Sequence, residues 1–312
     1  MSMRPAWSVL FLTTLIGCAQ GLAVALALAV LGLFGGPGAA RVAGGPGLLM
    51  VLALGVVALI ASFLHLGRPE RAWRAAAMWR TSWLSREVIV LPAFLGVAAL
   101  CWLWLSRLHA WPVWLALALL AGCGTLWVCT AMIYAGVRFI REWATPLTLL
   151  NFVLMGLASG FALAAALFAA LGLPAAELAG WALGWTLLAF LGRMAALLRT
   201  ARLVPAGSLQ TAIGVRSKRI VQISRGFTAG SFNLHEFFHG QPEAVVRGVQ
   251  GGFVLLGFIV PLALLGAGLG ASRPLPWFAL AWLVQMAGLL AERWHFFAQV
   301  NHPQNRYYAA AH

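Results

Sequence analysis

Residues 62–87 read SFLHLGRPERAWRAAAMWRTSWLSRE. Five arginines, three tryptophans, one histidine and two glutamates crowd into this stretch. The sequence turns apolar on both sides, over 47–66 and 88–106. A segment needs roughly 20 apolar residues to cross the hydrocarbon layer of a bilayer. The stretch therefore reads as a basic loop between two antiparallel membrane spans. The rest of the chain repeats the same alternation.

Further spans fall at 7–34, 113–137, 147–172, 178–198, 248–271 and 277–297. The expected fold is all-α: a polytopic membrane protein with eight transmembrane helices in one bundle, a single integral membrane domain over 1–312. The first span is longer than the apolar core of a signal peptide and further spans follow it, so it reads as retained. The segment 35-GGPGAARVAGGPG-47 reads as a flexible loop. Composition agrees with the class. The chain is 62% hydrophobic and 9% charged, with a mean hydropathy of +0.90, whereas soluble domains carry about 25% charged residues.

The basic residues are sided. Alternating the spans puts all 21 Lys+Arg except Arg41, Arg107 and Arg273 on the face that also holds both termini. Short loops rich in Lys/Arg stay cytoplasmic, which places that face and both termini in the cytoplasm. The net charge of +14 is thus a membrane-sided charge rather than a nucleic-acid footprint. No basic stripe with interleaved aromatics on a soluble face accompanies it. The same face carries the extended polar segments: the loop 67–87, the connection 199–247 with 216-RSKR-219, and the tail after Arg293. These form the expected partner surface.

His65 ends span two and Glu87 begins span three, so the two groups sit at one membrane depth. Ionisable residues there are costly and are functional candidates by default. A histidine can donate to a quinone carbonyl and pass a proton near neutral pH. A carboxylate beside it can relay protons. A structural role fits the same residues: His65 donating to a helix-end carbonyl, and Glu87 pairing with Arg86 or Arg68. Trp73, Trp79 and Trp83 suit interface anchoring, and a quinone ring could stack on one of them. On span eight, Glu292 and His295 share a helix face and could complete a polar pocket with His65, or simply form the polar end of the helix. Arg193 could serve a pocket or snorkel to the interface.

Metal and haem are not expected. His65 and His295 lie near span ends without a second, deeper histidine pair. His235 and His239 lack a third ligand at clear spacing. Cys18, Cys101, Cys123 and Cys129 lie in apolar spans without a CxxC and read as small core residues.

Residues 62–87, with 208-SLQTAIGVRSKRIVQISRGFTAGSFN-233 and 291-AERWHFFAQVNHPQNRYY-308, resemble the membrane anchor subunits of the dimethyl sulfoxide reductase type, and the resemblance covers the whole chain. It implies a complex in a bacterial cytoplasmic membrane. A molybdopterin catalytic subunit performs the oxo-transfer, a ferredoxin-like iron–sulfur subunit relays the electrons, and the anchor exchanges them with ubiquinone or menaquinone. It also implies that His65 and Glu87 are the quinone-site pair; Arg68, Arg86, Trp83 and His295, read from their place at the same membrane face, are expected as further quinone contacts. In the dimethyl sulfoxide reductase the partner face is periplasmic. The charge asymmetry here puts that face in the cytoplasm, as in the anchors of quinone-dependent sulfite dehydrogenases. The alternatives are an anchor of a reductase oxidising menaquinol, or a transporter. Transporters favour broken helices and charges near the midplane, whereas the ionisable residues here gather at one face.

A reporter fused after His312 is expected to give a cytoplasmic signal. A periplasmic signal would reverse the assignment of the partner face.

Overall fold

The computed structural model describes residues 7–63, 68–204, 208–217, 219–221 and 243–300. Among them all regular structure is helical. The order is α1 (Trp7–Val30), α2 (Gly36–Phe63), a 3-10 segment (Pro69–Ala76), α3 (Trp83–Leu108), α4 (Val113–Ala135), α5 (Pro146–Ala170), α6 (Ala176–Ala201), the short α7 (Leu209–Ile213), α8 (Glu243–Val254), a π segment (Leu255–Ile259), α9 (Val260–Leu269) and α10 (Leu275–Ala298). The rod from α8 through α9 counts as one span, and eight spans are long and apolar enough to cross a membrane. Helices suit that solvent because each backbone N–H and C=O is paired within its own segment.

Helix ends follow from local chemistry. The Ser82 hydroxyl accepts the Ser85 amide and starts α3, and Thr145 does the same for α5 through the Leu147 amide. At the other end of α3, His109 turns left-handed with φ 50°, and Pro112 lies just beyond. Where the π segment meets α9, Pro261 has no N–H for the Gly257 carbonyl four residues back. The Gln285 side-chain amide of α10 reaches that carbonyl at 3.5 Å.

Two sequence expectations change. The segment 35–47 is helical: α2 starts at Gly36 and carries Pro46 inside it. Ala39, Ala40 and Ala43 are buried against the core, and this tertiary packing outweighs the weak helix propensity of the glycines. In addition, α3 starts at Trp83 rather than near 88. Glu87 therefore lies inside a helix, about one turn from its start.

The bundle is built around α1 and α5, the two most buried spans. They pack on each other; α2 and α4 also pack on α1, and α6 and α10 on α5. Lipid tails are as apolar as leucine, so helices associate in a membrane through close packing of small residues. Gly21 of α1 faces Gly156 and Gly160 of α5. A Cβ at Gly21 or Gly160 would collide with the opposing backbone, which has no freedom to yield. The alternation of the spans brings the start of α3, the ends of α4, α6 and α10, and the start of α5 to one end of the bundle.

Gly160→Leu is expected to lower the thermal stability of the detergent-solubilised protein, by at least the roughly 1–3 kcal/mol typical of overpacking. Gly124→Ala, at a position with open space beside it, is the control and should leave the melting temperature near that of the unmodified protein.

Candidate functional site

A cavity of about 360 Å³ opens at the basic end of the bundle. α1 contributes Val9 and Leu12, α2 Leu59, Ser62 and Phe63, and the 3-10 segment Ala72, Trp73 and Ala75. α3 contributes Leu84, Glu87, Val88, Leu91 and Pro92, and α4 Ile133 and Tyr134. The walls are mostly apolar, and Phe63, Leu84 and Trp73 are exposed at its rim. Glu87 is the one charged side chain among the described lining residues. It is 7% exposed and accepts a short hydrogen bond from the Thr130 hydroxyl of α4. An apolar chamber with a few convergent polar groups is the usual form of a small-molecule site.

The arginines of the loop do other work. The Arg86 guanidinium donates to the carbonyls of Trp79 and Arg80, both at 2.9 Å, and lies 4.1 Å from the Trp83 ring centre. It ties the end of the loop onto the first turn of α3. Arg68 is exposed and caps the 3-10 segment through its backbone only. Of the three tryptophans, Trp73 rather than Trp83 lines the cavity. His65 lies outside the described residues, two positions beyond Phe63 in the sequence.

A second polar cluster is buried beside the cavity. Arg193 Nε of α6 lies 2.8 Å from Glu292 Oε1 of α10, with both side chains almost fully buried. His295 Nδ1 lies 3.1 Å from Arg193 Nη2. Arginine only donates, so this ring nitrogen accepts. Arg193 thus neither snorkels nor lines the Glu87 cavity, and His295 belongs to this cluster. Arg293 is also buried, but its nearest carboxylate oxygen, Glu292 Oε2, is 3.6 Å away. Its guanidinium instead sits 3.8 Å from the Phe152 ring centre and donates to the Met155 sulfur at 3.4 Å. Phe152 in turn stacks on Tyr134, with ring centres 5.7 Å apart and planes 17° from parallel. Tyr134 therefore stands between the cavity and the cluster.

The sequence reading did not find Thr130 or Tyr134. A single threonine in an apolar span signals nothing by itself, and Tyr134 matters only through the helices that converge on it. The four cysteines are free and buried. Among the described residues, no three His, Cys, Asp or Glu side chains converge as a metal site would require.

Eight apolar spans, with a carboxylate-bearing cavity at their basic end, define an integral multi-pass membrane protein. Residues 1–215 match the family described as DMSO reductase anchor subunit (DmsC), and the chain belongs to that family. It is a membrane anchor subunit of an oxidoreductase complex. The chain is also 49% identical to a sulfite dehydrogenase subunit of Allochromatium vinosum, over 98% of this chain and 99% of that relative.

Breaking a buried ion pair by removing one partner costs about 3–5 kcal/mol. Arg193→Ala is expected to lose that much, read as a fall in folded yield and melting temperature. Arg193→Lys, which keeps a cation opposite Glu292, should lose less, because the carboxylate is then not left without its partner.

Proposed function

We propose that this chain is the quinone-reactive anchor of a cytoplasm-facing sulfite dehydrogenase in a bacterial inner membrane, with both termini in the cytoplasm. The observation that carries the reading is the cavity: apolar, open at a rim of exposed apolar side chains, and holding one buried carboxylic group. Its volume of about 360 Å³ suits a single ring, and its rim is within reach of lipid. The name of the Allochromatium relative supports sulfite as the substrate of the complex, and the sided positive charge supports the cytoplasmic face.

In this reading a molybdopterin subunit oxidises sulfite to sulfate. An iron–sulfur subunit passes the electron pair across the near face, where exposed Trp73 roofs the cavity. Quinone accepts two electrons and two protons and leaves as quinol. Glu87 delivers a proton to one quinone oxygen and is reloaded from the basic face. The Thr130 hydroxyl holds its carboxyl toward the cavity. The adjacent loop supplies His65 as the donor to the other oxygen. Arg86 keeps that loop seated on α3.

Glu87→Gln and His65→Ala are each expected to slow quinone-linked sulfite oxidation at least tenfold in the assembled complex. Dye-linked oxidation, which bypasses the anchor, is the control for assembly. Quinone-linked rates near those of the unmodified complex in both variants would move the site away from this cavity.

A further inference from the structure

The cavity's neighbour holds two fully buried guanidinium groups and one fully buried carboxylate. Among the described residues the buried carboxyl and guanidinium side chains are Glu87, Arg193, Glu292 and Arg293. Arg193 and Glu292 form a close pair at 2.8 Å. That leaves Arg293, 4% exposed, with one carboxylate oxygen at 3.6 Å, a sulfur and two aromatic rings for company. An ion in such surroundings is expensive, and apolar replacements are often neutral or stabilising. Structural packing alone does not require a guanidinium here.

The cluster also has the means to keep this charge ionised. A chamber lined by Asn151, Arg193, Glu292, Arg293 and Gln299, with half-buried Glu142 at its edge, has about 10 Å³ of free volume, and a second, lined by Thr14 and Arg293, has the same. Each is about the size of one water probe. Asn151 Oδ1, Glu292 Oε2, Gln299 Oε1 and the Thr14 hydroxyl are buried there without a hydrogen-bond partner. Unpartnered acceptors call for a donor. A water in each chamber can donate to them and lend its oxygen to the guanidinium, whereas an anion would meet the acceptors with repulsion.

We propose that Arg293 is the electrostatic counter-charge of the Glu87 cavity, a positioning residue that stabilises negative charge arriving on a quinone there. The other buried carboxyl group, Glu87, lines the cavity together with Tyr134, Tyr134 stacks on Phe152, and Arg293 sits over Phe152, so two rings link the cation to the cavity. Coulomb energy falls only inversely with distance and dielectric, so two stacked rings in a water-poor interior transmit much of the attraction. Reduction adds negative charge to the quinone before both protons have arrived. Arg293 opposes that cost throughout. It takes up and releases no proton, and the electron pair still comes from the partner subunits.

The proposal rests on the quinone reading above, and the test separates the two. Arg293→Met leaves Arg193 and Glu292 as a balanced pair, so the assembled complex should form; Arg293→Gln serves if the methionine variant does not assemble. In either, kcat for quinone should fall about tenfold or more with KM little changed. The midpoint potential of the complex-bound quinone, read by redox titration, should move to lower values. Arg293→Lys should retain most of both. Val88→Trp, which fills the cavity, is run beside them. If Val88→Trp abolishes quinone turnover while the neutral Arg293 variants keep both kcat and potential, the counter-charge proposal is overturned alone. If Arg293→Lys falls as far as Arg293→Met, the role is steric and the proposal is equally overturned. If Val88→Trp leaves quinone turnover intact, the cavity reading itself fails and takes this proposal with it.

Discussion

The close crossing of α1 and α5 sets the positions of nearly everything else. Gly21, Gly156 and Gly160 let two backbones meet with no side chain between them. A membrane offers little hydrophobic drive for helices to pair, so such contacts carry the association. With α1 and α5 fixed together, α4 and α10 are held against them on different sides. Tyr134 on α4 and Arg293 on α10 are thereby both brought against the ring of Phe152 on α5. The cavity and the charged cluster become neighbours because of where the glycines are.

Polar groups inside the bundle find partners in a consistent way. Thr13, Ser159 and Thr186 return their hydroxyl hydrogens to carbonyls of their own helices. Gln285 of α10 donates to Thr186 and to the carbonyl that Pro261 leaves unserved. Around Arg293 several buried acceptors lack a hydrogen-bond partner, as do Gln285 Oε1 and the indole nitrogens of Trp111, Trp127 and Trp185 elsewhere in the bundle.

The loop after α2 shows how one sequence feature can serve two ends. Arg74, Arg80 and Arg86 each lie over the ring of a nearby tryptophan, Trp73, Trp79 and Trp83 respectively. Such pairs suit the membrane interface, where one side of the ring is wet and the other apolar. The same loop then supplies Trp73 and two alanines as the roof of the cavity. Anchoring at the interface and closing the site are one structural act.

The sequence alone determined the class, the number of spans, their alternation and the face that matters, because hydropathy and basic sidedness are properties of composition along a line. It also singled out Glu87, since a lone carboxylate at a span's end is conspicuous in an apolar chain. It misread 35–47 as a loop, because glycine and proline signal turns locally while burial of Ala39, Ala40 and Ala43 is a tertiary fact. It chose Trp83 over Trp73, because shared depth in the membrane says nothing about which side chain turns toward the cavity. Only the tertiary structure decided that Arg193 pairs with Glu292, that Thr130 donates to Glu87, and that Tyr134 and Phe152 link the Glu87 cavity to buried Arg293. These are contacts between helices, consecutive or distant in the chain, and every apolar helix in a membrane offers all of its faces equally until packing selects one.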